Sequence, residues 1–98
     1  MKESYIQSKI TSYLKNLQDE GKPIFFEKRQ AGGFHYKEGI PDLYVVIKGR
    51  HIEIEIKNEN GKRRNMQYKW SEIFKNLGID YYICRDLNEF KAIISKYL

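Results

Sequence analysis

Residues 39–57 read GIPDLYVVIKGRHIEIEIK, running from Gly39 to Lys57, and the fold turns on how this stretch pairs with itself. Two strand-favouring runs, LYVVI at 43–47 and IEIEI at 52–56, flank KGRH, which suggests a hairpin. With Gly49 and Arg50 at the centre of a type II′ turn, which takes glycine first, Lys48 faces His51 and Asp42 lies opposite Lys57. Side chains alternate across a strand. Asp42, Tyr44 and Val46 therefore share a face with Glu53, Glu55 and Lys57, while Leu43, Val45, Ile47, Ile52, Ile54 and Ile56 line the other. Asp42 and Glu55 become diagonal neighbours, roughly 7 to 8 Å apart, within reach of one cation. A slip of one residue would put them on opposite faces.

The elements around the hairpin follow from periodicity and caps. Ile6, Ile10, Tyr13, Leu14 and Leu17 recur at helical spacing, with Gly21 as the stop, and predict a first helix over 3–19. IFFEK, after Pro23, predicts the first strand. QAGGFHYKEG, residues 30–39, has three glycines and no periodicity and reads as a loop. Asn65 is a cap candidate for a helix whose Met66, Trp70, Ile73, Phe74 and Leu77 form one face, with Gly78 as its stop. IDYYIC is the last strand, and Asp86 with Glu89 resembles a capping box opening a helix that carries Leu87, Phe90, Ile93, Ile94 and Tyr97. The order α-β-β-β-α-β-α predicts an α/β fold with a mixed four-stranded sheet flanked by helices. Its first three strands form an antiparallel meander, and the fourth is parallel after a right-handed crossover. With no linker or repeat, residues 1–98 are read as a single domain.

Composition bounds the partners. A formal charge of +5 makes a polyanion the first partner to consider. One cysteine, Cys84, supplies neither a disulfide framework nor a zinc cluster, so a reducing cytoplasm is the expected compartment. No apolar run approaches membrane-spanning length, and no membrane role is expected.

Clustered carboxylates repel, and a divalent cation or a proton relieves the repulsion. Magnesium suits oxygen ligands and keeps waters beside one or two carboxylates. Bound there, it can polarise a phosphodiester oxygen and acidify a water. A lysine on the same face can orient that water or stabilise charge on the phosphate. Glu3 precedes Ile6 by three residues and Ile10 by seven, so it projects inward, where a carboxylate calls for a partner or a metal; Gln7 shares that stripe. Lys62, Arg63 and Arg64, together with Lys28, Arg29 and Lys37 around the glycine-rich loop, are candidate phosphate contacts. His35 and His51 are not spaced as a metal pair, and Glu53 lies on the acidic face outside the motif.

The motif set Gly39, Ile40, Pro41, Asp42, then Glu55, Ile56, Lys57, then Gln67 resembles the PD-(D/E)xK nucleases, and more closely their VRR-NUC (virus-type replication-repair nuclease) branch, over nearly the whole chain. The resemblance implies a restriction-endonuclease-like core and metal-dependent cleavage of DNA, with Mg2+ as cofactor and Mn2+ as its substitute. It assigns metal binding to Asp42, Glu55 and the Ile56 main-chain carbonyl, with Glu3 completing the site, and places Lys57 at the nucleophile beside Gln67. Relatives this small resemble homodimeric enzymes that cut branched DNA such as Holliday junctions, since symmetric cutting needs two sites related by a two-fold. Other readings are a nuclease or nickase acting on flaps, ends or duplex, an inactive DNA-binding module, and a structural partner in a phage or mobile-element replication complex.

Overall fold

The computed structural model describes residues 1–30, 37–62 and 65–98. Its elements are α1 (Glu3–Asp19), β1 (Ile24–Lys28), β2 (Leu43–Ile47), β3 (Arg50–Ile56), α2 (Asn65–Asn76), β4 (Asp80–Cys84) and α3 (Leu87–Ser95). The strands form one mixed sheet in the order β1-β2-β3-β4. The first three are antiparallel, and β4 runs parallel to β3. Class, element order and topology match the sequence reading. No helix among the described residues is long and apolar enough to cross a membrane.

The apolar sheet face carries Ile24, Leu43, Val45, Ile47, Ile52, Ile54, Ile56 and Cys84, and α1 and α3 pack on it through Ile6, Ile10, Leu14, Phe90 and Ile94. Burying such a stripe is what holds a helix of ordinary propensity in place. Asp86 caps α3 by accepting the Glu89 amide at 2.7 Å, as the capping-box spacing predicted. The second face belongs to α2, which packs against β4 and stacks Phe74 on Tyr81 with ring centroids 6.5 Å apart. The β2–β3 part of that face therefore sits at the foot of α2.

Two local expectations are corrected. The hairpin centre is Lys48–Gly49, so Ile47 pairs with Arg50 and Leu43 with Ile54. Both central residues have positive φ, 50° and 81°, which is a type I′ turn. Its twist matches the flanking strands, and glycine fills its second position. The shift from the expected pairing is two residues, so every side chain keeps its predicted face.

The second correction concerns α2. It begins at Asn65 itself, and its buried residues are Gln67 and Phe74, whereas Met66, Ile73 and Leu77 of the expected face are exposed. Apolar periodicity misplaced the inward direction because this helix lies on the polar side of the sheet, turned so that Gln67 meets a carboxylate.

Candidate active site

Leu43 pairing with Ile54 puts Asp42 directly across from Glu55, closer than the diagonal placement first expected. Pro41 and Asp42 are fixed by their neighbours. The Arg29 amide donates to the Asp42 carbonyl at 2.8 Å, and Arg29 Nη1 donates to the Pro41 carbonyl at 3.0 Å. Gly39 takes φ 78° against the start of α2, where a β-carbon would come within 2.5 Å of Met66 Cβ. Only glycine permits that approach. Trp70 Nε1, donating to the Glu38 carbonyl at 2.9 Å, ties the same segment to the helix.

The carboxylates meet in a nearly dry setting. Asp42 Oδ2 accepts the Ile56 amide at 2.7 Å, and Glu55 Oε2 accepts Gln67 Nε2 at 3.0 Å. Lys57 Nζ lies 3.8 Å from Glu55 Oε2, and Glu55, Lys57 and Gln67 are all buried. Glu55 Oε1 is buried and receives no donor among the described residues, and the Asp42 and Glu55 side chains lie within hydrogen-bond reach of each other when one of them is protonated. Burial, and next the Asp42 charge, push Glu55 up to about 8 from an ordinary 4.5. Burial also raises Asp42, opposed by the Ile56 amide. Both groups hold a proton more tightly than free carboxylates do, as expected of a pair built to share a positive charge.

Glu3 stands one step back. Its Oε2 accepts the Asn58 amide at 3.3 Å, and its charge raises the proton affinity of both Asp42 and Glu55. Among the described residues, no group of three or more His, Cys, Asp or Glu side chains is close enough to enclose a metal. The donors that do converge are carboxylate oxygens, one of them orphaned. They fit a hard divalent cation that keeps several of its own waters rather than one caged by protein.

The remaining candidates divide. Lys62 and Lys37 are exposed, while Arg63, Arg64 and His35 lie outside the described residues. Lys28 pairs with Leu43, so it is exposed on the sheet face opposite to that of Asp42. Arg29 is held from within the protein. Its guanidinium is committed to Glu53, at 2.6 and 3.0 Å, and it lies 5.0 Å over the Tyr44 ring. His51 Nε2 meets the other side of this arrangement, 2.5 Å from Glu53 Oε2. Glu53 is 1% exposed and buried between Arg29 and His51, beside the Asp42–Glu55 pair. Charge patterning could not distinguish an arginine aimed at DNA from one aimed inward. The one usable signal was parity, which already placed Glu53 on the acidic face.

Arg85 was not singled out from the sequence. Its Nη1 donates to the carbonyls of Asn58 and Gly61, at 2.6 and 3.0 Å, and so closes the turn that follows Lys57.

No protein-family model and no curated protein matches this sequence significantly. Comparison with solved structures does find relatives of the fold. A structure titled "VRR_NUC domain" is 22% identical, with a TM-score of 0.75, covering 98% of this chain and 97% of that one. A second, titled "VRR_NUC domain protein", is 18% identical with a TM-score of 0.79, covering all of this chain and 88% of the other. From end to end, then, the chain has the fold of VRR_NUC domains, as its Asp42, Glu55, Lys57 and Gln67 pattern predicted.

Proposed function

We propose that the protein is a metal-dependent DNA endonuclease of the PD-(D/E)xK kind. The observation that carries this reading is the opposed Asp42–Glu55 pair, with one buried oxygen that receives no donor among the described residues and a buried lysine beside it. Buried like charges of this sort are costly, and a hydrophobic pair would serve a purely structural role better. Asp42 and Glu55 would hold Mg2+ or Mn2+, with the Ile56 main-chain carbonyl assisting. Such an ion, when bound, polarises a phosphodiester oxygen and makes a water more acidic.

The chain's own residues would do the rest. Gln67 fixes the rotamer of Glu55, leaving Oε1 for the cation. The ammonium of Lys57, held against Glu55, orients the attacking water and stabilises the charge that grows on the phosphate. Glu3 adds negative charge that strengthens cation binding at the pair. Lys37, Lys62, Arg63 and Arg64 are the proposed phosphate contacts, and the net charge of +5 favours DNA as the polyanion. We place the protein in a cytoplasm and propose that it cuts branched DNA as a homodimer, the two-fold placing one site on each strand.

The test is incubation of the purified protein with four-way junction, flap, nicked and linear DNA in Mg2+ or Mn2+, with product ends mapped on each strand. Paired, symmetric nicks across the junction support the reading in full. Cutting of flaps or plain duplex alone moves the substrate assignment to an end- or flap-directed nuclease. Salt-dependent binding that survives Asp42→Ala, with no cleavage in either metal, would identify a DNA-binding module instead.

A further inference from the structure

The turn after Lys57 is fastened from two sides. Asn58 and Gly61 close it with an amide-to-carbonyl bond of 3.1 Å, and Asn58 Oδ1 accepts the Asn60 amide at 3.0 Å. On one side, β4 takes hold. The Lys57 amide donates to the Cys84 carbonyl at 3.0 Å, and the next residue, Arg85, donates to the carbonyls of Asn58 and Gly61. On the other side, the Asn58 amide donates to Glu3 Oε2. At the centre lies Gly61, where a β-carbon would stand 2.9 Å from Glu3 Oε2, 3.1 Å from Lys57 Cδ and 3.3 Å from Asn58 Oδ1.

We propose that Arg85 is a positioning residue for the site, and that it acts by holding the Asn58–Gly61 turn, which sets Lys57 and Glu3 against the Asp42–Glu55 pair. This rests on the nuclease reading above. A guanidinium suits the task because its Nη1 carries two N–H bonds in a rigid plane and donates to both carbonyls in fixed geometry, whereas an ammonium rotates at the end of a flexible stem. Each acceptor is a main-chain carbonyl, so the interaction fixes backbone rather than a mobile side chain. Gly61 is the complementary half of the device. Its missing side chain leaves room for Lys57 and Glu3 to approach each other across the turn. A small displacement of a catalytic group, of the order of 1 Å, can cost roughly 100-fold in rate, so a backbone clamp at this point is consequential.

Two variants with different defects test the same assignment. Arg85→Lys keeps the charge and loses the rigid plane that aims both N–H bonds of Nη1. Gly61→Ala keeps Arg85 and pushes a methyl toward Glu3 and Lys57, at a residue whose φ is not positive. Each is expected to lower kcat by about 10- to 100-fold with KM for DNA nearly unchanged, as removal of a group that orients a ligand does. Each should also weaken Mn2+ binding measured by calorimetry without DNA, because Glu3 is displaced.

In Arg85→Lys, amide exchange should speed up at Asn58 and Gly61 and stay unchanged at Ile54. Arg50→Ala, which removes an exposed pair with Asp80 at the far end of β3, serves as the control for general destabilisation. Wild-type kcat and Mn2+ affinity in both variants, or equal losses in Arg50→Ala, would overturn the assignment. If the wild type itself fails to cut DNA, the nuclease reading falls, and the exchange and Mn2+ measurements still decide the role of Arg85.

Discussion

Gln67 Nε2 donates to Glu55 Oε2 at 3.0 Å, and both side chains are nearly sealed from water. A helix on one side of the sheet thereby sets the rotamer of a carboxylate on the third strand. Gln67→Ala removes that donor and leaves the Lys57 ammonium 3.8 Å away. Losing a buried hydrogen bond costs about 1–3 kcal/mol. We expect an urea midpoint lowered to match, and a raised Mg2+ concentration for half-maximal cleavage. Gln67→Glu would bring a third negative charge to the pair and should be the more damaging of the two.

The Asp42–Glu55 pair also sets a pH dependence. Glu55 is raised to about 8, so the folded protein binds its proton more tightly than the unfolded chain does. The stabilisation is therefore complete below the unfolded value of 4.5 and is lost as pH rises through the folded value. In a metal chelator, Tm should fall by several degrees between about pH 5 and about pH 9. Saturating Mg2+ should flatten the profile, since a ligand that binds only the folded form takes over from the proton. Glu55→Gln should flatten it without metal. A Tm that holds steady over this range in chelator would contradict the placement of Glu55.

Gly39→Ala tests the packing of the Pro41–Asp42 segment on α2. The new methyl meets Met66 Cβ at 2.5 Å on a backbone with φ 78°, so both overpacking and left-handed strain apply. Together they should cost about 2–4 kcal/mol. Gly49→Ala, also at positive φ but with nothing within 4 Å, should cost less. Chemical denaturation of the two variants side by side separates close approach from backbone conformation.

Arg29 and Glu53 form a partly buried ion pair, with side chains 21% and 1% exposed. Arg29→Met strands Glu53 with His51 as its remaining partner. The loss should be about 2–3 kcal/mol, below the fully buried figure because solvent reaches the arginine. Adding Glu53→Gln should restore much of it. If Arg29→Met leaves stability unchanged and weakens only DNA binding, Arg29 serves as a phosphate contact and not as the partner that holds Glu53.

The contrast between Arg29 and Asp42 explains how far the sequence could be read. Strand parity placed Asp42, Glu55 and Lys57 on one face, because a slip of two residues leaves every side chain on its predicted side. That robustness made the central arrangement legible. The finer pairing depended on turn type, which KGRH left open between two glycine positions. Helix faces were legible where the partner surface is apolar, as for α1 and α3. They failed for α2, where a hydrogen bond from Gln67 competes with the apolar stripe. Arg85 was invisible because its acceptors are main-chain carbonyls, which leave no trace in residue type.

If Asp42 and Glu55 hold the metal for phosphodiester cleavage, the cut itself must depend on both the metal and the pair. The most direct measurement follows cleavage of a labelled four-way junction by wild type, Glu55→Gln and Lys57→Ala, in Mg2+ and in chelator. The expected result is Mg2+-dependent cutting by the wild type, with both variants slower by a factor of roughly 100 or more. Equal cutting by all three proteins, or cutting by the wild type that persists in chelator, would contradict it.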